Sequence, residues 1–172
     1  VTVTWMKFCM QLLCLTGDIT YAEEIEKSIF NGLYGAVNRE KSPKNGGLIF
    51  DSYSPLLNFH RGIGIGGLQT LNGIAFYGCC AAIGAAGTGF APQFVLQSTD
   101  KGVVFNTYAC GAVNTKTPKD KDISFGIETE YPTEDDIEIT TYLEDEEEFE
   151  VLLRIPAFAD GASVVADGTV YR

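Results

Sequence analysis

Two cysteines stand side by side at Cys79-Cys80, between Tyr77-Gly78 and a run of small residues from Ala81 to Gly89. A thiol supplies either a soft nucleophile or a soft metal ligand, and both uses require the thiolate. The small residues after the pair can open a helix. A thiol at a helix start feels the positive end of the peptide dipoles, which lowers its pKa and favours the anion. The same two residues also fit the commonest role of cysteine, a small buried hydrophobe. They do not fit a disulfide with each other. Neighbouring Cα atoms are about 3.8 Å apart, whereas a bridge prefers about 5.5 Å.

The elements around the pair follow from periodicity. Residues 2–16 place Trp5, Phe8, Leu12 and Leu15 on one stripe, with Met6, Cys9 and Leu13 beside it, which predicts a helix. Gly17 ends it. Thr20-Tyr-Ala-Glu23 reads as a capping box for a second helix with its stripe at Ile25, Ile29 and Leu33. Glu23, Glu24, Glu26 and Lys27 then face water, and the two helices form a hairpin. Residues 35–47 read as a polar loop, Leu48–Tyr53 as a short strand, and 54–73 as irregular and glycine-rich. A third helix is expected over 80–96, weakened by Gly84, Gly87, Gly89 and Pro92.

After Ser98 the period changes from helical to alternating. Val103–Tyr108, Ile123–Glu130, Ile137–Leu143 and Phe149–Ile155 read as strands, and Asp167-Gly168 as a hairpin turn. Short strands at such intervals suggest an antiparallel sandwich. The expected architecture is α+β, with residues 1–98 helical and residues 99–172 a β domain.

Other candidate sites are weaker. Gly62-Ile-Gly-Ile-Gly-Gly67 has dinucleotide-like glycine spacing, but no strand runs into it and no acidic residue follows at the required distance. A flexible loop is the better account. The acidic run Glu144–Glu148 lacks the spacing of a calcium loop, and it reads as a solvated face that discourages edge pairing. His60, the only histidine, lies beside Arg61 in the glycine-rich stretch and could contact a ligand or simply be structural.

The chain has 172 residues and a net charge of −11, which argues against nucleic acid and against an anionic membrane surface. No apolar run reaches the roughly 20 residues of a membrane span. Five cysteines at irregular spacing do not form a secreted disulfide framework, and Cys9, Cys14 and Cys110 are expected in cores. No signal peptide is evident, which favours the cytoplasm without fixing the compartment. The chain opens mid-pattern without Met, as a truncation would.

The segment from Tyr77 through Cys79-Cys80 to Gly87 resembles the Cys-Cys segment of the DUF1680 proteins, the glycoside hydrolase family 127 β-L-arabinofuranosidases. Three further stretches resemble the same family in the same order. They are Val1–Lys7 with Leu15–Asp18, Tyr21–Lys27 with Asn31–Leu33, and Leu153–Ala157 with Asp160–Ala162. The resemblance implies the last helices of an (α/α)6 barrel followed by a β-sandwich. It implies a retaining hydrolase acting on an arabinofuranoside-containing glycan, with Cys79 as nucleophile and zinc held by Cys79 and Cys80. Tyr53 and His60 would contact substrate.

Departures from the family pattern accompany it. Glu-Thr-Cys, the source of the other two zinc ligands, would precede Val1, and the general-acid glutamate would lie further upstream; this chain holds neither. Tyr53 is displaced by one residue within Ser52-Tyr-Ser-Pro-Leu56, and Ile83 stands where the family often has asparagine. With two of four ligands, zinc binding is expected to be weak and the chain inactive. The alternative is a non-catalytic carbohydrate-binding or structural module. A truncated barrel would also expose Trp5, Phe8, Leu12, Ile25 and Ile29, so self-association is expected.

Overall fold

The computed structural model describes residues 1–37, 68–71 and 74–171. The fold is α+β. The chain divides into two compact units, Val1–Pro92 and Gln93–Arg172.

In the first unit, helix α1 spans Thr2–Thr16 and helix α2 spans Ile19–Lys27. Gly17 closes α1 in the left-handed conformation (φ 67°), and its N–H donates to the Leu13 carbonyl. The buried face of α1 is Val3, Met6 and Cys9, rotated away from the expected stripe. Trp5, Phe8 and Leu15 are exposed, with the Trp5 and Phe8 rings 5.9 Å apart. Apolar residues encircle this helix, so periodicity alone admitted two faces. The slimmer one packs inward. The apolar surface is therefore narrower than expected, since Ile25 and Ile29 are buried.

Asp18, not Thr20, caps α2. Its carboxylate accepts from the Thr20 N–H at 2.9 Å, and Thr20 lies inside the helix. One residue of the expected solvent face, Glu26, is instead buried. Bonding to Thr20 holds the Asp18 carboxyl below its usual range. The contribution of this cap is present above the unfolded carboxylate value of about 3.9 and is lost as pH falls through the lower folded value. Asp18→Ala is expected to lower the melting midpoint at neutral pH, with the difference from the parent shrinking in strong acid. A midpoint gap that is the same at both pH values would show that the cap is not the source.

The chain continues from α2 as a π-helical turn, Ser28–Leu33, which buries Ile29 and Leu33. Strands β1 (Leu68–Leu71) and β2 (Ile74–Tyr77) pair antiparallel from Leu68↔Tyr77 to Leu71↔Ile74. Residues 68–71 were expected to be irregular. The missed sequence cue is Asn72-Gly73, a two-residue hairpin signal between apolar runs. Helix α3 (Gly78–Val95) follows β2 directly. A Cβ at Gly87 would come within 2.7 Å of both Leu33 Cδ1 and Val3 Cγ2. The glycines that weaken α3 by propensity thus include one that lets it lie close against α1 and the π-helical turn.

In the second unit, β5 (Gly111–Lys116), β6 (Asp122–Thr129) and β7 (Ile137–Leu143) form an antiparallel meander. A second sheet has the order β3–β4–β8, from Leu96–Thr99, Gly102–Phe105 and Glu150–Leu153. Its β4–β8 pair is parallel, unlike the all-antiparallel arrangement expected. Strands β9 (Val164–Ala166) and β10 (Thr169–Tyr171) make a hairpin through Asp167 (φ 49°) and Gly168 (φ 76°), the positive angles a two-residue turn requires.

Val103 and Phe105 of the second sheet share one hydrophobic cluster with Ile123, Phe125 and Ile127 of the meander. The Phe105 and Phe125 rings meet edge-to-face at 5.2 Å. Arg154 is buried here. Its N–H donates to the Phe105 carbonyl at 3.0 Å and its Nε donates to the Asn106 carbonyl. Its own carbonyl accepts from the Tyr108 hydroxyl at 2.8 Å. In Leu153-Arg-Ile-Pro-Ala157 the arginine therefore ties the end of β8 to the exit of β4. Among the described residues, no helix is long and apolar enough to cross a membrane.

Candidate functional site

Cys79 is the second residue of α3 and is exposed. The preceding residue but one, Tyr77, ends β2, so the thiol sits where a hairpin strand passes straight into a helix. The first four N–H groups of a helix have no partner within it, and they concentrate partial positive charge in this turn. Cys80 is the next residue of the same turn. The alternative of a buried structural thiol is thus removed for Cys79.

The other thiols separate by environment. Cys9 is fully buried, and burial, with a smaller effect of the Glu24 charge, pushes its thiol up from the ordinary value. Cys14 and Cys110 are exposed, contrary to the expectation of cores. Cys14 lies in the last turn of α1, where the apolar stripe that should have buried it turns outward. Cys110 directly precedes edge strand β5.

Tyr53, His60 and the glycine run Gly62–Gly67 lie outside the described residues. Among the described residues, no group of three or more His, Cys, Asp or Glu could hold a metal ion. The acidic run serves the fold: Glu147 accepts from the Thr117 hydroxyl at 2.8 Å, and Asp145 pairs with Lys121 at 3.5 Å. An exposed thiol in a first helical turn can act chemically as a nucleophile or as one ligand of a soft metal.

Residues 102–172 match the family model for the GH127 middle domain of β-L-arabinofuranosidases. Among solved structures, the chain is similar to a GH127 β-L-arabinofuranosidase from Geobacillus stearothermophilus T6. The TM-score is 0.68 and the identity 19%, over 99% of this chain and 26% of that one. It is also similar to a protein described as a glycoside hydrolase, with a TM-score of 0.76 and 21% identity, over 99% of this chain and 28% of the other. The chain thus spans little more than a quarter of either structure. Curated protein sequences give no match. The family resemblance is borne out by that match over residues 102–172, and both units share their fold with those structures.

Proposed function

We propose, from the premise that residues 102–172 carry a GH127 middle domain, that this chain is part of a retaining β-L-arabinofuranosidase-type glycoside hydrolase in which Cys79 is the nucleophile. The observation that carries the assignment is the exposed Cys79 thiol in the first turn of α3. The site offers the chemistry of a thiolate. Its sulfur attacks the anomeric carbon as the bond to the leaving oxygen breaks, giving a thioglycosyl intermediate. Water then displaces the sulfur from the opposite side, losing its proton to the glutamate that the first step left as a carboxylate. Two inversions give retention, and the thiolate is regenerated. The proton for the leaving oxygen comes from the general-acid glutamate, which the resemblance places outside this chain.

Zinc, implied by the same resemblance, needs about four donors. The described residues do not fit such a centre by themselves, so the thiol step above is drawn without it. The helix terminus acts on Cys79 whether or not a metal is present.

Cys14 provides an internal control, since it is also exposed but lies at the opposite, negative end of a helix. Under limiting iodoacetamide, Cys79 is expected to alkylate faster than Cys14 and Cys110, with Cys9 last because it is both buried and shifted upward. Peptide mass mapping with tandem spectra separates Cys79 from Cys80. In the full-length protein, Cys79→Ser is expected to abolish hydrolysis of a β-L-arabinofuranoside. A Cys79 no faster than Cys14, or a serine variant that still turns over, would sink the catalytic assignment.

A further inference from the structure

On the meander, Ile123, Phe125 and Ile127 of β6 face the core, so Ser124 and Gly126 face outward. Tyr142 of β7 pairs with Ser124 and is 60% exposed. Its ring leans diagonally over Gly126. A Cβ placed there would meet Tyr142 Cε2 at 3.4 Å and the hydroxyl oxygen at 3.8 Å. These are ordinary contact distances, so the ring lies over the sheet at Gly126. Neither the thiol chemistry nor the core uses this ring.

Tyr142 lines an open groove of about 820 Å³ together with Asn114, Ser124, Asp120 and Glu144. Asn114 pairs with Ser124, which sets an amide, a hydroxyl and an aromatic ring across three adjacent strands. The cations of the region are already engaged. Lys116 holds Asp122 at 2.7 Å and Lys121 holds Asp145 at 3.5 Å. Asp120 and Glu144 add further negative charge. An anionic ligand is disfavoured, while the carboxylates accept hydrogen bonds from hydroxyl groups.

We propose that the outer face of β5–β6–β7 around Tyr142 binds a neutral oligosaccharide. A sugar ring has an apolar C–H face and a hydroxyl rim. The exposed tyrosine ring meets the face, and the amide, hydroxyl and carboxylates around it meet the rim. This surface does not depend on the thiol reading, and a failed alkylation experiment leaves it standing.

The test is a nuclear magnetic resonance titration of the full chain with linear arabinohexaose, and separately with hexagalacturonate as the anionic contrast. Arabinohexaose is expected to shift the amides of Ser124, Gly126 and Tyr142, with a dissociation constant at or below about 1 mM. Tyr142→Ala should weaken binding at least about tenfold and Tyr142→Phe by under about threefold, because the ring carries the contact. Ser124→Ala, which keeps the ring and removes the neighbouring hydroxyl, should weaken it severalfold and serves if the alanine variant at Tyr142 fails to fold. No shift with arabinohexaose, unchanged binding by Tyr142→Ala, or equal binding of hexagalacturonate would each overturn the proposal.

Discussion

Gly102→Ala is expected to cost the β unit about 4 kcal/mol or more, the range reserved for changes that leave a side chain no place to go. A Cβ at Gly102 would run into the Glu150 carbonyl oxygen and lie 2.7 Å from its carbon and 2.8 Å from its nitrogen. All three are backbone atoms of the parallel partner strand, so no rotamer change relieves the clash. Glu150 is also fixed at this point by its N–H donating to the Lys101 carbonyl at 2.9 Å. Intrinsic preference acts the other way, since alanine in a strand gains roughly 0.5–1 kcal/mol over glycine. The sign of the result therefore decides between propensity and close approach. Thermal melting followed by the sheet signal in circular dichroism should show a large drop in midpoint. A midpoint equal to or above the parent's would mean that β8 does not sit against β4 as described.

Phe105→Ala is expected to cost about 3–5 kcal/mol, the usual loss for truncating a fully buried aromatic. Phe105 has no exposed surface and meets Phe125 edge-to-face at an interplanar angle of 85°. That geometry adds about 0.5–1.5 kcal/mol beyond area burial, and a double-mutant cycle with Phe125→Ala should recover it as coupling. Against a total stability of about 5–15 kcal/mol, the single change leaves the unit marginal. Urea denaturation gives the number. A loss below about 1 kcal/mol would show that the two sheets do not share this core.

The sequence revealed those elements whose chemistry is local. Ile123, Phe125 and Ile127 alternate with polar residues, and the alternation named the strand and its buried face together. Gly17 and Asp167-Gly168 mark positions where positive φ is required, and each was legible for that reason. Strands β3 and β5 were not. Gln97-Ser98-Thr99 and Asn114-Thr115-Lys116 are polar, and their strand character comes from pairing with neighbours. Register partners across long separations leave no periodic trace, so the parallel β4–β8 pair was hidden too. The inward face of α1 was ambiguous because Trp5 and Phe8 are as apolar as Val3 and Met6; packing against α2 and α3 decided it.

At the candidate site the reading was legible as far as one helix turn. Small residues after Cys79-Cys80 announced a helix start, and α3 begins at Gly78. Exposure of Cys14 and Cys110 could not be inferred from composition, because a cysteine in an apolar run satisfies the same pattern whether it faces in or out. Asn72-Gly73 was present in the sequence as a hairpin signal and was obscured by the many glycines before it.

The pairing of β4 with β8 also sets an order of events on the ribosome. Strand β4 emerges with β3 on one side and nothing on the other. Its second partner begins to emerge only after residues 106–149 have been made. At about 5–20 residues per second, that delay is roughly 2–9 s. The meander β5–β7 closes from neighbouring segments in the interval, because short loops are cheap to close. Until β8 arrives, the open edge of β4 keeps unpaired N–H and C=O groups beside Val103 and Phe105, the kind of edge that recruits another chain. Nascent polypeptides translated in tandem on one message meet one another in this window, and a translational pause placed within it prolongs their exposure to each other.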